Sequence, residues 1–372
     1  MIVGAGIVGA ACAAACARGG LTVLVLDRGP IGGGTTAAGM GHVVVMDDSP
    51  AQFALTSCSR RLWHETASRL PGDVEYDPCG TLWVAADAEE MAEVHRKAAF
   101  YRERKVKVEI LDGPAVAQAE PNLRPGMAGG LLVIEDAVVY PPGAARFFLE
   151  DAAAATGRIE VRPGVSVAAL NTDGSVTLAD GSRVTAGLVV NAAGPWSPEL
   201  SPGLPVRKRK GHLVITDRYP GFVHHQIVEL GYLKSAHSVA KDSVAFNIQP
   251  RQTGQMLIGS SRQFDADDTA IDPPILDRML QRALEYLPGF GRLSAIRSWT
   301  GHRAATPDKL PLIGPIPGND RLWLATGHEG LGITTSLGTG RLLADLILKQ
   351  ATEIPSEPYL PARLDNAGGL HG

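Results

Sequence analysis

The first residues, Met1 to Asp27, read "MIVGAGIVGAACAAACARGGLTVLVLD", and their pattern decides how the chain folds. Met1-Ile2-Val3 is the apolar end of a short buried strand. Gly4, Gly6 and Gly9 come next as G-x-G-x-x-G, and Ile7 and Val8 open an alanine-rich helix that runs to about Arg18. Gly19-Gly20 ends that helix, and "LTVLVLD" is a second buried strand finishing at Asp27. Each glycine has a task. Gly4 makes a tight turn, Gly6 lets the backbone approach a pyrophosphate, and Gly9 lets helix and strand pack closely. The helix start presents N–H groups and a positive dipole end to phosphates. Asp27 stands 18 residues after Gly9, where a carboxylate bonds a ribose hydroxyl. This context predicts dinucleotide binding. The first strand is short, which places the expected natural start slightly upstream. The uncharged run before Arg18 resembles a signal peptide superficially, but it lacks a positive n-region and its glycines are spaced for the turn.

The segment after the second strand separates two cofactors. An NAD domain proceeds into another helix and strand. Here "DRGPIGGGTTAAGMGH" brings Arg28, Gly34, Thr35, Thr36, Ala38 and Gly39, small and hydroxyl residues that offer a second close approach to a longer dinucleotide. A flexible Gly/Thr loop is the plain alternative. Two more segments of this kind occur. "LVVNAAGPWS" is a buried strand ending in Ala192-Ala193-Gly194, with Trp196 just beyond. "LWLATGHEGLGITTSLGTGRLLADLIL" is a strand to Gly327, a glycine-rich turn to Gly332 and a helix to about Leu348. Between these segments, "GTLWVAAD", "HLVITD", "SVAFNIQPR" and "QMLIGSS" have antiparallel character, flanked by helical patterns at about 88–104 and 275–287. "SVTLADGSRVTAGLVV" reads as a hairpin turning at Asp180-Gly181.

Composition bounds the rest. At 372 residues the chain suits about two domains. Its 43 glycines and 26 prolines have no period, which excludes collagen-like and disordered readings. A net charge of −4 gives no general attraction to nucleic acid or anionic membrane. Cys12, Cys16, Cys58 and Cys79 form no C-x-x-C run, so no iron–sulfur or zinc site is encoded and a reducing cytoplasm fits. Cys12 and Cys16, one helical turn apart, read as core residues. Beyond that N-terminal run, no other stretch approaches the roughly 18 uncharged apolar residues of a membrane span.

These motifs resemble the D-amino acid oxidase family of FAD-dependent oxidoreductases, the glycine oxidase and sarcosine oxidase relatives, over nearly the whole chain. The resemblance implies an α/β Rossmann-type (glutathione-reductase-like) FAD domain from 1–43, 139–205 and 301–372. It implies an α+β substrate domain with a mostly antiparallel sheet from 44–138 and 206–300. FAD would be held non-covalently, no cysteine lying in the C-terminal half. Its contacts would include Gly4, Gly6, Ile7, Val8, Gly9, Asp27 and Arg28, then Gly34, Thr35, Thr36, Ala38, Gly39, Val165, Ala192, Ala193, Gly194 and Trp196. The last group is Gly327, Glu329, Gly330, Leu331, Gly332 and Ile333, the turn placing N–H groups near the flavin's pyrimidine edge. No metal is implied.

In the family an arginine entering the last FAD segment pairs with the substrate carboxylate, and "GHRAATPDKLPLIGP" puts Arg303 at that position. A planar guanidinium fixes a carboxylate in position and rotation together. An Arg303–Asp308 ion pair bracing the turn is the bland alternative. Glu329 and His42 are further catalytic candidates, while His224, His225, Tyr232, His237 and His328 more simply serve as hydrogen-bonded structural residues. A carboxylate at Glu329 beside a flavin calls for a cation: a substrate ammonium or guanidinium, or a neighbouring histidine. That favours a substrate with a positive nitrogen. The basic run "VRKRKGH", 206–212, reads as a solvated or partner-facing stretch.

"TAAGMGHVVVMDD" with "GHEGLGITTS" looks most like the catalytic β subunits of D-hydroxyproline dehydrogenases and their opine-oxidase and cyanide-synthase relatives. The expected activity is oxidation of the C–N bond of an amino or imino acid, hydroxyproline-like or else a basic amino acid or opine, with electrons passed to a partner subunit or a quinone in a hetero- or homo-oligomer. An oxidase making peroxide and a non-catalytic FAD relay subunit are the competing readings. An NAD-dependent dehydrogenase would leave the middle and C-terminal glycine segments without a task.

Overall fold

The computed structural model describes residues 1–231, 242–264 and 266–367; Tyr232 and His237 lie outside the described residues. The chain divides into two compact units, 1–74 with 140–209 and 302–372, and 75–139 with 210–301.

The first unit is built on a six-stranded sheet in the order Leu312–Ile316, Asn319–Thr326, Val189–Asn191, Ile2–Val3, Val23–Asp27, Ile159–Pro163. Only the outermost pair, Leu312–Ile316 with Asn319–Thr326, is antiparallel. Its inner strands are runs of buried Val, Ile and Leu, as a parallel sheet covered on both faces requires. Because these strands are parallel, Val3, Asp27, Asn191 and Thr326 finish at one edge. That carboxyl edge is where open α/β sheets bind ligands. The helix Ile7–Arg18 packs between Pro141–Thr156 and Gly332–Ile347. A Cβ on Gly340 would stand 2.5 Å from the Ala11 carbonyl oxygen, so the first and last helices touch backbone to backbone. Cys12 and Cys16 are buried in this packing, and burial pushes the Cys16 thiol up to about 11, the state of an inert core thiol.

The expected boundary after residue 43 is displaced to Val74. The helix Pro50–Ala67 belongs to this first unit because it docks on the C-terminal helix. Trp63 Nε1 donates to the Ile333 and Thr334 carbonyls at 3.2 Å, and Ser59 Oγ accepts from Gly338 N at 3.0 Å. The hairpin reading holds: Ser175–Leu178 pairs with Arg183–Thr185, and Gly181 takes a φ of 83° at the turn.

The second unit carries an eight-stranded sheet in which Gln226–Glu229 pairs in parallel with Thr81–Ala85. Gln226–Glu229 with Asp242–Pro250, that strand with Met256–Phe264, Thr81–Ala85 with Gly129–Val133, and that strand with Val108–Asp112 are antiparallel. The helix Pro273–Tyr286 covers it with Ile275, Met279 and Ala283, and Tyr286 stacks on Phe246 at 4.8 Å. The run 206–212 is not a solvated stretch. It lies in the strand Arg207–Thr216, where Arg209 and Lys210 are buried and Lys210 Nζ bonds Asp268 at 2.8 Å. Among the described residues no helix is long and apolar enough to cross a membrane.

Candidate active site

The carboxyl edge of the parallel sheet gathers the motif residues of the first unit. Gly4 has a φ of 112°, and a Cβ there would fall 2.4 Å from the Ala192 carbonyl oxygen. A Cβ on Gly9 would fall 2.0 Å from the Gly4 carbonyl oxygen, so only hydrogen lets helix and turn meet. The helix begins at Gly6 with no side-chain cap, and Thr36 Oγ1 accepts from Ile7 N at 2.9 Å. Asp27 braces the neighbouring backbone: its two oxygens accept from Ala5 N at 2.6 Å and from Gly29 N at 2.7 Å. Its carbonyl accepts from Val165 N at 2.8 Å. The glycine–threonine segment is ordered by its contacts rather than a flexible loop. Thr35 Oγ1 donates to the His302 carbonyl at 2.8 Å, and a Cβ on Gly34 would lie 3.3 Å from the Trp196 ring. Arg28 lies over that same indole at 4.5 Å from its centroid.

The segment after Asn191 is held by Thr326, which accepts from Ser197 Oγ at 2.8 Å and donates to the Gly194 carbonyl at 2.9 Å. The C-terminal turn is fixed in its own way. Gly327 has a φ of 80°, Glu329 one of 50°, and Glu329 N bonds the Ala304 carbonyl at 2.8 Å. The helix Gly332–Ile347 starts without a side-chain cap, and a Cβ on Gly332 would lie 3.6 Å from Val8. Two helix starts, the first bonded at Ile7 N by Thr36 and neither capped by its own N-cap side chain, therefore stand side by side, an arrangement suited to a ligand with negative charge at two places.

Arg303 joins this group. Its Cδ and Nε lie 3.6 Å from where a Gly330 Cβ would be, so the guanidinium stem crosses the turn at its glycine. Asp308 is bonded by Arg363, with Nε to Oδ2 at 2.7 Å, and this pair braces the turn. Glu329 also departs from expectation, because the cation it meets is the protein's own Arg209, through Nη1 to Oε1. A positively charged substrate is therefore not required. Arg209 is absent from the motif reading, since a lysine–arginine run carries no sign of which member turns inward.

The histidines divide. His42 is half-buried, its ring Nε2 3.3 Å from Met40 Sδ and its carbonyl accepting from Thr334 Oγ1 at 2.8 Å. His328 is buried with Nε2 3.0 Å from Thr339 Oγ1, and burial pushes its pKa down from 6.5 to about 3. His328 is therefore neutral in the folded protein. Because the unfolded chain binds this proton first, its contribution to stability is complete above pH 6.5 and is lost as pH falls toward 3. The unfolding free energy from urea titration should decline through that window by up to one proton's slope, about 1.4 kcal/mol per pH unit, and His328→Gln should remove that slope. His224 and His225 are held elsewhere: both backbone N–H groups donate to the buried carboxylate of Glu120, at 3.0 and 2.6 Å.

A family model described as DAO, FAD dependent oxidoreductase, matches residues 1–346. The chain belongs to this family. Members with similar sequences include the glycine oxidase of Pseudomonas aeruginosa, 28% identical over 376 residues, covering 97% of this chain and 98% of the relative. The hydrogen cyanide synthase subunit HcnC of the same organism is 26% identical and covers 98% and 95%. The crystal structure of glycine oxidase from Geobacillus kaustophilus superimposes with a TM-score of 0.85 at 25% identity, over 96% of each chain. As an FAD-dependent oxidoreductase the protein takes FAD, and its carboxyl edge fits that cofactor: side chains are excluded at Gly4 and Gly9, and two helix starts whose N-cap residues give no side-chain cap adjoin there.

Proposed function

We propose that the protein oxidises the C–N bond of a small amino or imino acid with a neutral side chain, hydroxyproline-like in shape, to an imine. The observation that carries this reading is Arg303, a guanidinium laid across Gly330 beside the turn Gly327–Gly332. Diphosphate would rest on Gly4 to Gly9 and the first helix start, a ribose on Asp27, and the flavin end on Gly327 to Ile333. Bound FAD supplies the hydride acceptor. Arg303 holds the substrate carboxylate through two parallel N–H···O bonds, which fixes the α-carbon in position and rotation. The amine must be uncharged as the hydride departs, and water or a backbone carbonyl takes its proton. Orientation is the protein's main contribution, so no nucleophile or metal enters.

Electrons then pass to an acceptor other than NAD. Likeness over nearly full length to a subunit of hydrogen cyanide synthase supports a partner protein or a quinone, whereas likeness to glycine oxidase supports oxygen. Steady-state assays with a redox dye and with oxygen decide between them, using D- and L-proline, hydroxyproline isomers, sarcosine, glycine, D- and L-arginine and an opine. Turnover of a neutral imino acid at least tenfold faster with dye than with oxygen is expected. Stoichiometric peroxide at full rate makes the protein an oxidase. Preference for arginine or an opine would contradict the neutral-substrate reading. A purely relaying FAD subunit needs no carboxylate clamp, so the position of Arg303 favours catalysis.

A further inference from the structure

We infer that Arg209 is a positioning residue whose ion pair with Glu329 sets the charge at the flavin end of the site and thereby its reduction potential. The inference rests on the FAD reading above and goes beyond it by assigning a task to a residue outside the motifs. Glu329 occupies a left-handed conformation, φ 50°, that residues with side chains adopt at a cost. The backbone bond from its N–H to the Ala304 carbonyl, 2.8 Å, holds it there. Its carboxylate meets Arg209 Nη1, and the two side chains are only 16% and 10% exposed. Three residues on, the helix Gly332–Ile347 starts without a side-chain cap, next to Val8 at the start of the first helix.

Three charges thus meet around Glu329: the positive helix end three residues on, its own carboxylate and the Arg209 guanidinium. A buried carboxylate by itself would oppose the negative charge that reduction adds to a flavin, and would cancel the helix end. Paired with Arg209 it leaves that end effective. Low exposure keeps solvent from screening the sum, so removing one partner shifts it by a full charge, and removing the other shifts it the opposite way.

The test is the midpoint potential of bound FAD, measured by dye equilibration, in wild type, Glu329→Gln, Arg209→Met and the double variant. Glu329→Gln takes one negative charge from the site and should raise the potential by at least about 30 mV, a tenfold change in a two-electron equilibrium. Arg209→Met takes one positive charge and should lower it by a similar amount, and the double variant should return toward wild type. A brace without electrostatic effect would lower thermal stability but leave every potential unmoved, and that result overturns the inference. Single-variant shifts of the same sign overturn it too. Should Arg209→Met fail to fold, Glu329→Gln and the double variant still decide by the rise and the return. Wild-type protein that binds no FAD on reconstitution would sink the FAD reading itself, a failure distinguishable from either.

Discussion

Arg303→Lys lowers kcat/KM well over tenfold, and Arg303→Ala lowers it by about 10²–10³. Lysine keeps the charge but offers a point where a planar fork is needed, so the carboxylate retains attraction and loses its fixed rotation. Alanine removes the charge-assisted pair altogether, a loss of about 2–5 kcal/mol where the partner charge is desolvated. Both variants should raise KM and lower kcat, because the arginine positions the reacting carbon as well as binding its carboxylate. A surface brace would be worth about 0–1 kcal/mol and would leave kinetics nearly unchanged. The turn's Asp308 is held by Arg363, so the effect of Arg303 on kcat/KM should far exceed its effect on thermal stability. Unchanged kcat/KM in Arg303→Lys would rule out the clamp.

Gly9→Ala should abolish most FAD binding. Intrinsic propensity argues the other way, since alanine in a helix is favoured over glycine by about 1 kcal/mol. The added methyl, however, would sit 2.0 Å from the Gly4 carbonyl oxygen and 3.3 Å from the Ala192 Cβ. Backbone cannot yield there without moving the turn, and overpacking of this kind costs about 1–3 kcal/mol or more. The helix start then shifts away from the phosphate position. Flavin fluorescence titration of the apoprotein should show at least a tenfold weaker FAD affinity, with a lower Tm. Gly187→Ala, where an added Cβ meets nothing within 4 Å, is the matched control. Full flavin content and an unchanged Tm in Gly9→Ala would contradict the packing role.

The strand–turn–helix–strand unit is legible because its signals are local. Gly4, Gly6 and Gly9 stand at fixed offsets, the helix is continuous in small residues, and the structure returns Ile7–Arg18 and Val23–Asp27. The antiparallel segments and the helices Ala88–Glu103 and Pro273–Tyr286 are legible for the same reason. Local pattern does not say which surface an element meets. No helix over 50–67 is expected from the sequence; the structure places Leu55, Ser59 and Trp63 on a buried helix face that meets the C-terminal helix and draws residues 44–74 into the first unit. Arg209 and Glu329 are 120 residues apart, and neither position announces the other. Glu329 taken alone calls for a cation, on the substrate or on a neighbouring histidine, and Arg209 meets that requirement instead. His42 shows the same limit: its place after the glycine–threonine segment suggests catalysis, while its ring lies against Met40.

Anaerobic reduction of the bound flavin tests the central claim most directly. Stopped-flow absorption would follow bleaching by proline or hydroxyproline and by pyrrolidine, the same ring without its carboxylate. Rapid bleaching by one imino acid, with pyrrolidine at least a hundredfold slower, is the predicted result. Equal rates for acid and amine, or a flavin that no amino or imino acid bleaches, would contradict an enzyme that orients its substrate through Arg303.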